Sequence, residues 1–258
     1  MLIIDRFAYN NRLRRVDPAY KAALALAVLL ICLIGNRPAV GLLAAVWMFI
    51  LATALAGLPG KAVTQVLLAE LFFLALASAG IALSVHLAAF GAPAGGWSFA
   101  IGPVAVATSP ALLVTAGNVL LRTLGATASL NFLALTTPLV DLVALLRRLR
   151  VPSLLIDLMT VIYRFIFTLL ETLQRIYTAQ SCRLGYCSPR RTLVSAGHLG
   201  SQLFIDAYRR SQRLQLALDA RGFDGELRVL PRPYTASPAL LWCGILVVAS
   251  LVIVRILA

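Results

Sequence analysis

Three ionisable side chains fall inside long apolar stretches of the chain: Glu70, His86 and Asp141. Burying such a group in lipid is costly unless it pairs with another group or meets water, so each is a candidate for a proton or ion path. Structural pairing is the competing interpretation. It would join Glu70 to a residue on another helix and Asp141 to Arg147 or Arg148.

Other catalytic and metal-binding patterns are missing. The segment 57–62, Gly-Leu-Pro-Gly-Lys-Ala, has the wrong spacing for a phosphate-binding loop and lacks the hydroxyl that would hold magnesium. Cys182 and Cys187 lack a second pair at zinc-like spacing, while Cys32 and Cys243 lie in apolar runs. We therefore expect reduced thiols, no metal site, no cofactor and no catalytic activity in this chain.

The elements that carry these residues are predicted to be membrane helices. Hydrophobic residues make up 60% of the 258 residues and charged residues 13%, whereas soluble domains have about 45–50% and about 25%. The apolar runs do not alternate in short segments as barrel strands do. The fold class is therefore predicted to be all-α, with about five transmembrane helices.

Each predicted crossing has roughly the 20 residues that a bilayer requires. Both 103–121 and 126–146 could cross, but two crossings there would place the basic segment that follows outside, against the positive-inside rule. We expect one crossing, with the remainder tilted, kinked at Pro138 or in the interface. The predicted spans are 21–35, 38–56, 63–87, one within 103–146, and 238–257.

The charge distribution predicts the topology. Of the 23 Lys and Arg residues, five precede or include Lys21, and fourteen lie between Arg147 and Tyr234, against six acids. Both segments are expected in the cytoplasm, and the uncharged loop 88–102, with Trp97 at the interface, outside. The C-terminus would end outside. No cleavable signal peptide and no nucleic-acid partner are expected.

The basic segment is predicted to form a cytoplasmic region, giving domains at 1–146, 147–235 and 236–258. Its first helix begins near Pro152 and closes at Gly185, and its second runs from about Arg191 to Arg221. Along the second helix, Arg209, Arg210 and Arg213 are expected to point away from one apolar stripe. That stripe comprises Leu199, Leu203, Ala207, Leu214 and Leu218.

Each of these helices ends in an arginine beside a predicted glycine cap, at Arg183 and within Ala220-Arg221-Gly222. Either end alone is explained by ordinary capping and the helix dipole. As a pair, the two ends would also suit insertion into acidic grooves on two partners, because a guanidinium can bind a carboxylate through two hydrogen bonds.

At this point the chain resembles a known family, the T components of energy-coupling factor transporters, and in particular the CbiQ-like proteins of cobalt uptake. The resemblance covers essentially the full length. It is carried by the segments 4–9, 11–14, 17–21, 145–152, 163–165 and 220–225. The first of the family's two Ala-Arg-Gly-like motifs departs here, since Cys182-Arg183-Leu184 keeps only the arginine.

The resemblance implies a non-catalytic coupling subunit in the bacterial cytoplasmic membrane. Arg183 and the Ala220-Arg221-Gly222 motif would dock on two ABC-type ATPase subunits, while a separate membrane subunit captures the substrate, Co²⁺ in this subfamily. Two alternatives remain open. One is a self-contained secondary transporter that uses Glu70, His86 and Asp141, and the other is a membrane enzyme or assembly scaffold.

Overall fold

The computed structural model describes residues 7–35, 37–82, 84–87, 97–101, 104–225, 227, 234–235 and 237–257. These residues form mainly long helices, which confirms the predicted fold class. In chain order the helices are α1 (Pro18–Ile34), α2 (Pro38–Ile50, continued by the π-helical turn Leu51–Leu55), α3 (Gly60–Ala82), α4 (Pro110–Thr136), α5 (Leu139–Arg148), α6 (Ser153–Cys182), α7 (Pro189–Asp219) and α8 (Pro238–Leu257).

Five of the described helices are long and apolar enough to cross a membrane, which is the predicted number. One member of the set differs from the prediction. The helix α6 has the required length and composition, whereas α1, with 17 residues, is at the lower limit of about 17–25 residues. The others are α2 with its π-turn, α3, α4 and α8.

The chain divides into two compact units, and the larger contains Leu2–Pro138 and Pro233–Ala258. In this helix bundle, α4 packs against α1, α2 and α3, and α8 packs against α1 and α2. Side chains from four helices are buried at its centre: Val28, Ala44, Phe132 and Val247. Long apolar helices thus bury one face on each other, and α3 is covered least, with Phe72 and Phe73 exposed.

Two glycines allow α2 and α4 to pack backbone against backbone. A Cβ added to Gly125 would lie 2.5 Å from the carbonyl oxygen of Gly41, and one added to Gly41 would meet the backbone of Leu121. Small residues permit such approach between membrane helices, where packing rather than the hydrophobic effect drives association.

The segment before α1 ties several helix ends together. Asp17 caps α1 by accepting a hydrogen bond from the backbone N–H of Ala19, at 3.0 Å. The N–H of Arg12 donates to the carbonyl of Ala56 at the end of α2, and Thr235, before α8, pairs with Arg15. The ends of α2 and the start of α8 therefore meet at the same end of the bundle as the N-terminal segment.

A small antiparallel sheet follows α3 and corrects the predicted third span. Its strands are β1 (Ser84–Leu87), β2 (Trp97–Ile101) and β3 (Val104–Thr108), in the order β1-β3-β2. The helix α3 stops at Ala82, five residues before the predicted end at Leu87. Most of the predicted loop 88–102 lies outside the described residues, except that Trp97 begins β2.

The region 103–146 holds a single long helix, as expected. Ser109 caps α4 through the N–H of Leu112, and the helix continues without a break through the predicted gap at Arg122. It ends before Pro138, after which α5 has only 10 residues, too few to cross.

The second unit consists of Leu139–Arg232 and contains α5, α6 and α7. Few of its described side chains are buried: α6 buries Ile156 and Asp157, and α7 buries none. The predicted apolar stripe on α7 is its less exposed face. Large apolar side chains face outward elsewhere, such as Leu193, Phe204 and Leu216.

Candidate functional site

The C-terminal turn of α6, residues 180–185, presents Arg183. The N–H of Gly185 donates to the carbonyl of Gln180 at 2.9 Å, and that of Leu184 to Ser181 at 3.0 Å. These bonds form a Schellman motif. The left-handed residue is Leu184, with φ 57°, rather than the predicted cap Gly185. A side chain in this conformation costs about 1–2 kcal/mol, which this turn tolerates.

The C-terminal turn of α7, residues 218–223, repeats the same hydrogen bonds. Phe223 donates to the carbonyl of Leu218 and Gly222 to that of Asp219, each at 3.1 Å. Here the left-handed position is Gly222, with φ 69°, where a glycine incurs no steric cost. Arg221 therefore occupies the position in this turn that Arg183 occupies in the other.

Both arginines are exposed. Within the described part of the chain, no carboxylate lies at ion-pair distance from Arg183 or Arg221. A Cβ at Gly222 would meet nothing within 4 Å, so the surface around Arg221 is open. Each turn thus presents a guanidinium that a carboxylate on another molecule could bind through two hydrogen bonds.

The two arginines lie at opposite ends of the pair formed by α6 and α7. Arg183 is in the connection between the helices, whereas Arg221 lines a groove beside Arg164, well back along α6. Nineteen residues of helix separate Arg164 from Arg183 in sequence, which corresponds to about 30 Å. One small partner surface could not contact both arginines at once.

The connection between α6 and α7 is held by side chains as well as by backbone bonds. The amide of Gln180 donates to the carbonyl of Ser195 at 3.2 Å and accepts from the hydroxyl of Tyr186 at 2.7 Å. Ser188 then caps α7 through the N–H of Arg191. Arg183 consequently projects from an ordered turn.

Asp157 is a structural residue that the sequence analysis missed. Its carboxylate lies 3.6 Å from the guanidinium of Arg147 at the end of α5 and accepts from the N–H of Leu227 at 3.0 Å. It is nearly buried, which strengthens both contacts. An acid in the apolar first turns of α6 was the available signal. Asp157 joins α5, α6 and the segment that follows Arg221.

Glu70 has the interhelical partner that structural pairing requires. Its carboxylate accepts a hydrogen bond of 2.6 Å from the side-chain amide of Asn131, which joins α3 to α4. Asn131 was not singled out from the sequence. A carboxylate and an amide in contact between two helices stabilise their packing and do not by themselves form a path across the membrane.

The other two intramembrane candidates are not placed beside Glu70. His86 lies in β1, where its backbone pairs with Ala105, and therefore not in a membrane helix as predicted. Asp141 is buried in the first turn of α5, which belongs to the other unit. Among the described residues, no three His, Cys, Asp or Glu side chains are grouped as metal ligands.

Lys21 and Asn11 complete the end of α4. Lys21 is fully buried, and its ammonium donates to the carbonyls of Leu13 and Thr136, each at 3.1 Å. Asn11 donates to the carbonyls of Leu135 and Thr136. These carbonyls belong to the last turn of α4, where helical partners run out and a cation is favourable.

The description of a protein-family model, "CbiQ: Cobalt transport protein", matches residues 10–232 of this chain. This chain belongs to the CbiQ family. The match includes the bundle residues Asn11 and Lys21 as well as both arginine turns. It therefore agrees with the family resemblance of the sequence.

Curated relatives give the same family. An uncharacterised protein of Methanocaldococcus jannaschii is 32% identical over 88% of this chain and 83% of its own length. A cobalt transport protein CbiQ of Rhodobacter capsulatus is 38% identical over 55% of this chain and 58% of its own length. A putative fused cobalt transport protein CbiMQ of Methanocorpusculum labreanum is 32% identical over 86% of this chain but only 37% of its own length.

Membership in the CbiQ family and the five long apolar helices identify the chain as a multi-pass membrane protein of a cobalt transport family. Its relatives are transport proteins rather than enzymes. The position of Arg183 and Arg221 in two equivalent turns is what the tertiary structure adds to that family assignment.

Proposed function

We propose that this CbiQ-family chain is the transmembrane coupling subunit of an ATP-driven importer. In this proposal, two ATPase subunits on the cytoplasmic side bind the arginine turns of α6 and α7, and a separate membrane subunit captures the substrate. The chain transmits the movement of the ATPases to that subunit. Co²⁺ is the proposed substrate, since the curated relatives carry cobalt transport in their names.

The observation that carries the proposal is the repeated turn. Two helices of one unit end in the same hydrogen-bonded motif, each with an exposed arginine at the same position and far from the other. Equivalent anchors about 30 Å apart suit two copies of one partner better than a single ligand. Each would insert into an acidic groove, where desolvation strengthens the ion pair.

The orientation in the membrane is part of the proposal. The basic segment 147–234 and the N-terminal segment would lie in the cytoplasm, where positive residues accumulate. The N-terminal segment, the end of α2 and the start of α8 meet at one end of the bundle. That arrangement is compatible with an N-terminus inside and a C-terminus outside after five crossings.

The name of the Methanocorpusculum relative, a fused CbiMQ protein much longer than the matched region, supports the expectation of a second membrane component. Fusion places two modules in one complex at a fixed ratio. For this chain, the proposed substrate-capturing subunit would be a separate partner. The exposed side chains of α3, including Phe72 and Phe73, offer apolar surface for lipid or for such a subunit.

The test is a charge reversal at Arg221. We expect Arg221→Glu to reduce co-purification of the ATPase subunits about tenfold or more and to abolish uptake, because it places like charges in contact. Arg209→Glu is the matched control, since Arg209 is an exposed arginine of α7 outside the turn. Membrane insertion should be equal in both variants. Wild-type complex formation and uptake by Arg221→Glu would contradict the proposal.

A further inference from the structure

Four arginines line one groove between α6 and α7: Arg164, Arg210, Arg213 and Arg221. The sequence analysis placed Arg210 and Arg213 away from the apolar stripe of α7. The structure corrects this, because both arginines line the groove together with Leu214 and Leu218 of that stripe. The longer arginine side chains extend around the stripe to its margin.

The charge in this groove is not neutralised within the described chain. No carboxylate there lies at ion-pair distance from Arg164, Arg213 or Arg221, and the hydrogen bond of Arg210 goes to the neutral hydroxyl of Thr172, at 3.3 Å. No Asp or Glu lines the groove. Four like charges held close together repel each other, and an anion that contacts several of them would relieve that repulsion.

The remainder of the groove is mainly apolar. Val161 and Phe165 of α6 face Leu214 and Leu218 of α7, and Leu227 closes one end. The volume is about 620 Å³, within the range of about 300–1,000 Å³ that is usual for small-molecule sites. The occupant must therefore combine negative charge with apolar surface.

The helix that forms one wall also carries apolar side chains outside the groove. Leu158, Ile162 and Ile166 are exposed on α6, which is one of the helices apolar enough to enter a bilayer. Hydrocarbon can therefore reach the groove along α6. An amphiphile from the membrane has access that a water-soluble ligand does not need.

We propose that this arginine groove binds an anionic phospholipid, with its phosphate among Arg164, Arg210 and Arg213 and its acyl chains along α6. Guanidinium groups bind phosphate oxygens through paired hydrogen bonds, and basic pockets between helices at the cytoplasmic side of a membrane take such headgroups. The site is distinct from ATPase docking, and its occupancy does not depend on the coupling role.

The experiment measures lipid retention by the full-length chain. Wild-type protein is reconstituted in vesicles of equal parts phosphatidylglycerol and phosphatidylcholine, extracted in mild detergent, and analysed by native mass spectrometry. We expect bound phosphatidylglycerol, and about a tenfold loss in the double variant Arg164→Gln/Arg213→Gln. The matched control is Arg190→Gln/Arg209→Gln, which removes two exposed α7 arginines outside the groove.

Three outcomes would overturn the proposal. The first is equal phosphatidylglycerol retention by the wild type and the groove variant. The second is displacement of the lipid by an equal concentration of inorganic phosphate, which would identify a free-anion site. The third is a groove variant that keeps its lipid but loses ATPase subunits, which would assign the groove to a protein. None of these readouts uses transport, so failure of the coupling role would leave the lipid result interpretable.

Discussion

At the scale of single residues, the chain uses its buried polar groups for structure and its exposed ones for contact. Lys21 and Asn11 bind carbonyls that α4 cannot satisfy itself, and Glu70 binds Asn131. By contrast, Arg183 and Arg221 are exposed. A buried group without a partner is costly, whereas an exposed guanidinium remains solvated until a partner arrives.

Lys21→Met should destabilise the bundle. It leaves the carbonyls of Leu13 and Thr136 without the ammonium that both now accept from, and hydrogen bonds to charged groups contribute about 1.5–3 kcal/mol each. We expect a clear fall in the melting temperature of the purified protein in detergent. Lys61→Met, at an exposed lysine, is the control. Equal melting temperatures for the two variants would show that Lys21 is not a structural cap.

Glu70→Gln separates the coupling role from a self-contained transporter. Glutamine can still accept the hydrogen bond from Asn131, so a structural Glu70 should allow near wild-type uptake in the presence of the ATPases. A secondary transporter that protonates Glu70 would lose uptake, because an amide does not titrate. The measurement is ion uptake into cells with and without the ATPase subunits. Loss of uptake in a stably inserted Glu70→Gln variant would favour the second function.

At the scale of elements, helix ends and one close helix contact carry most of the organisation. Proline or serine marks the starts of α1, α4 and α7, and the Schellman turns at 180–185 and 218–223 mark the ends of α6 and α7. The contact between Gly41 and Gly125 sets the distance between α2 and α4. These features fix where the functional arginines and the central helices lie.

Gly125→Ala should loosen the bundle. Its new methyl group would approach the carbonyl oxygen of Gly41 to 2.5 Å, so the two backbones must separate. Overpacking of this kind costs about 1–3 kcal/mol. Gly117→Ala on the same helix is the matched control, since nothing lies within 4 Å there. Thermal aggregation in detergent should begin at a lower temperature for Gly125→Ala alone, and an equal onset for both would contradict the contact.

At the scale of the whole molecule, the chain combines a helix bundle with a basic unit that has few buried side chains. The bundle buries side chains from several helices, whereas α7 buries none and exposes Leu193, Phe204 and Leu216. A unit with so little core of its own is suited to bind partners or lipid. The same feature makes its side of the membrane the central question of topology.

Cysteine labelling tests that topology. Cys182 and Cys187 are exposed beside Arg183, while Cys32 is buried and Cys243 partly buried in the bundle. A membrane-impermeant maleimide should label the chain, expressed alone, in inside-out vesicles but not in intact cells. The variant Cys182→Ser/Cys187→Ser should abolish that labelling. Labelling of the native cysteines from outside would place the arginine turns on the wrong side for ATPases.

Several features could be predicted from the sequence because they depend on composition and local pattern. Long apolar runs require lipid and hence helices, which yields the fold class and the number of long apolar helices. The stripe on α7 and the glycine at 222 follow from helical periodicity and from the left-handed position that glycine accepts. The family resemblance also rested on local motifs, and the family match confirms it.

Only the tertiary structure decided which residues meet. The pairs Glu70 with Asn131, Lys21 with Thr136 and Gly41 with Gly125 join positions far apart in sequence, and local periodicity carries no information about such contacts. The same limit explains His86, because the end of α3 depends on the pairing of β1 with β3. Sequence determined that two helices end in arginine. Folding decided that both arginines occupy the same turn, at opposite ends of the helix pair.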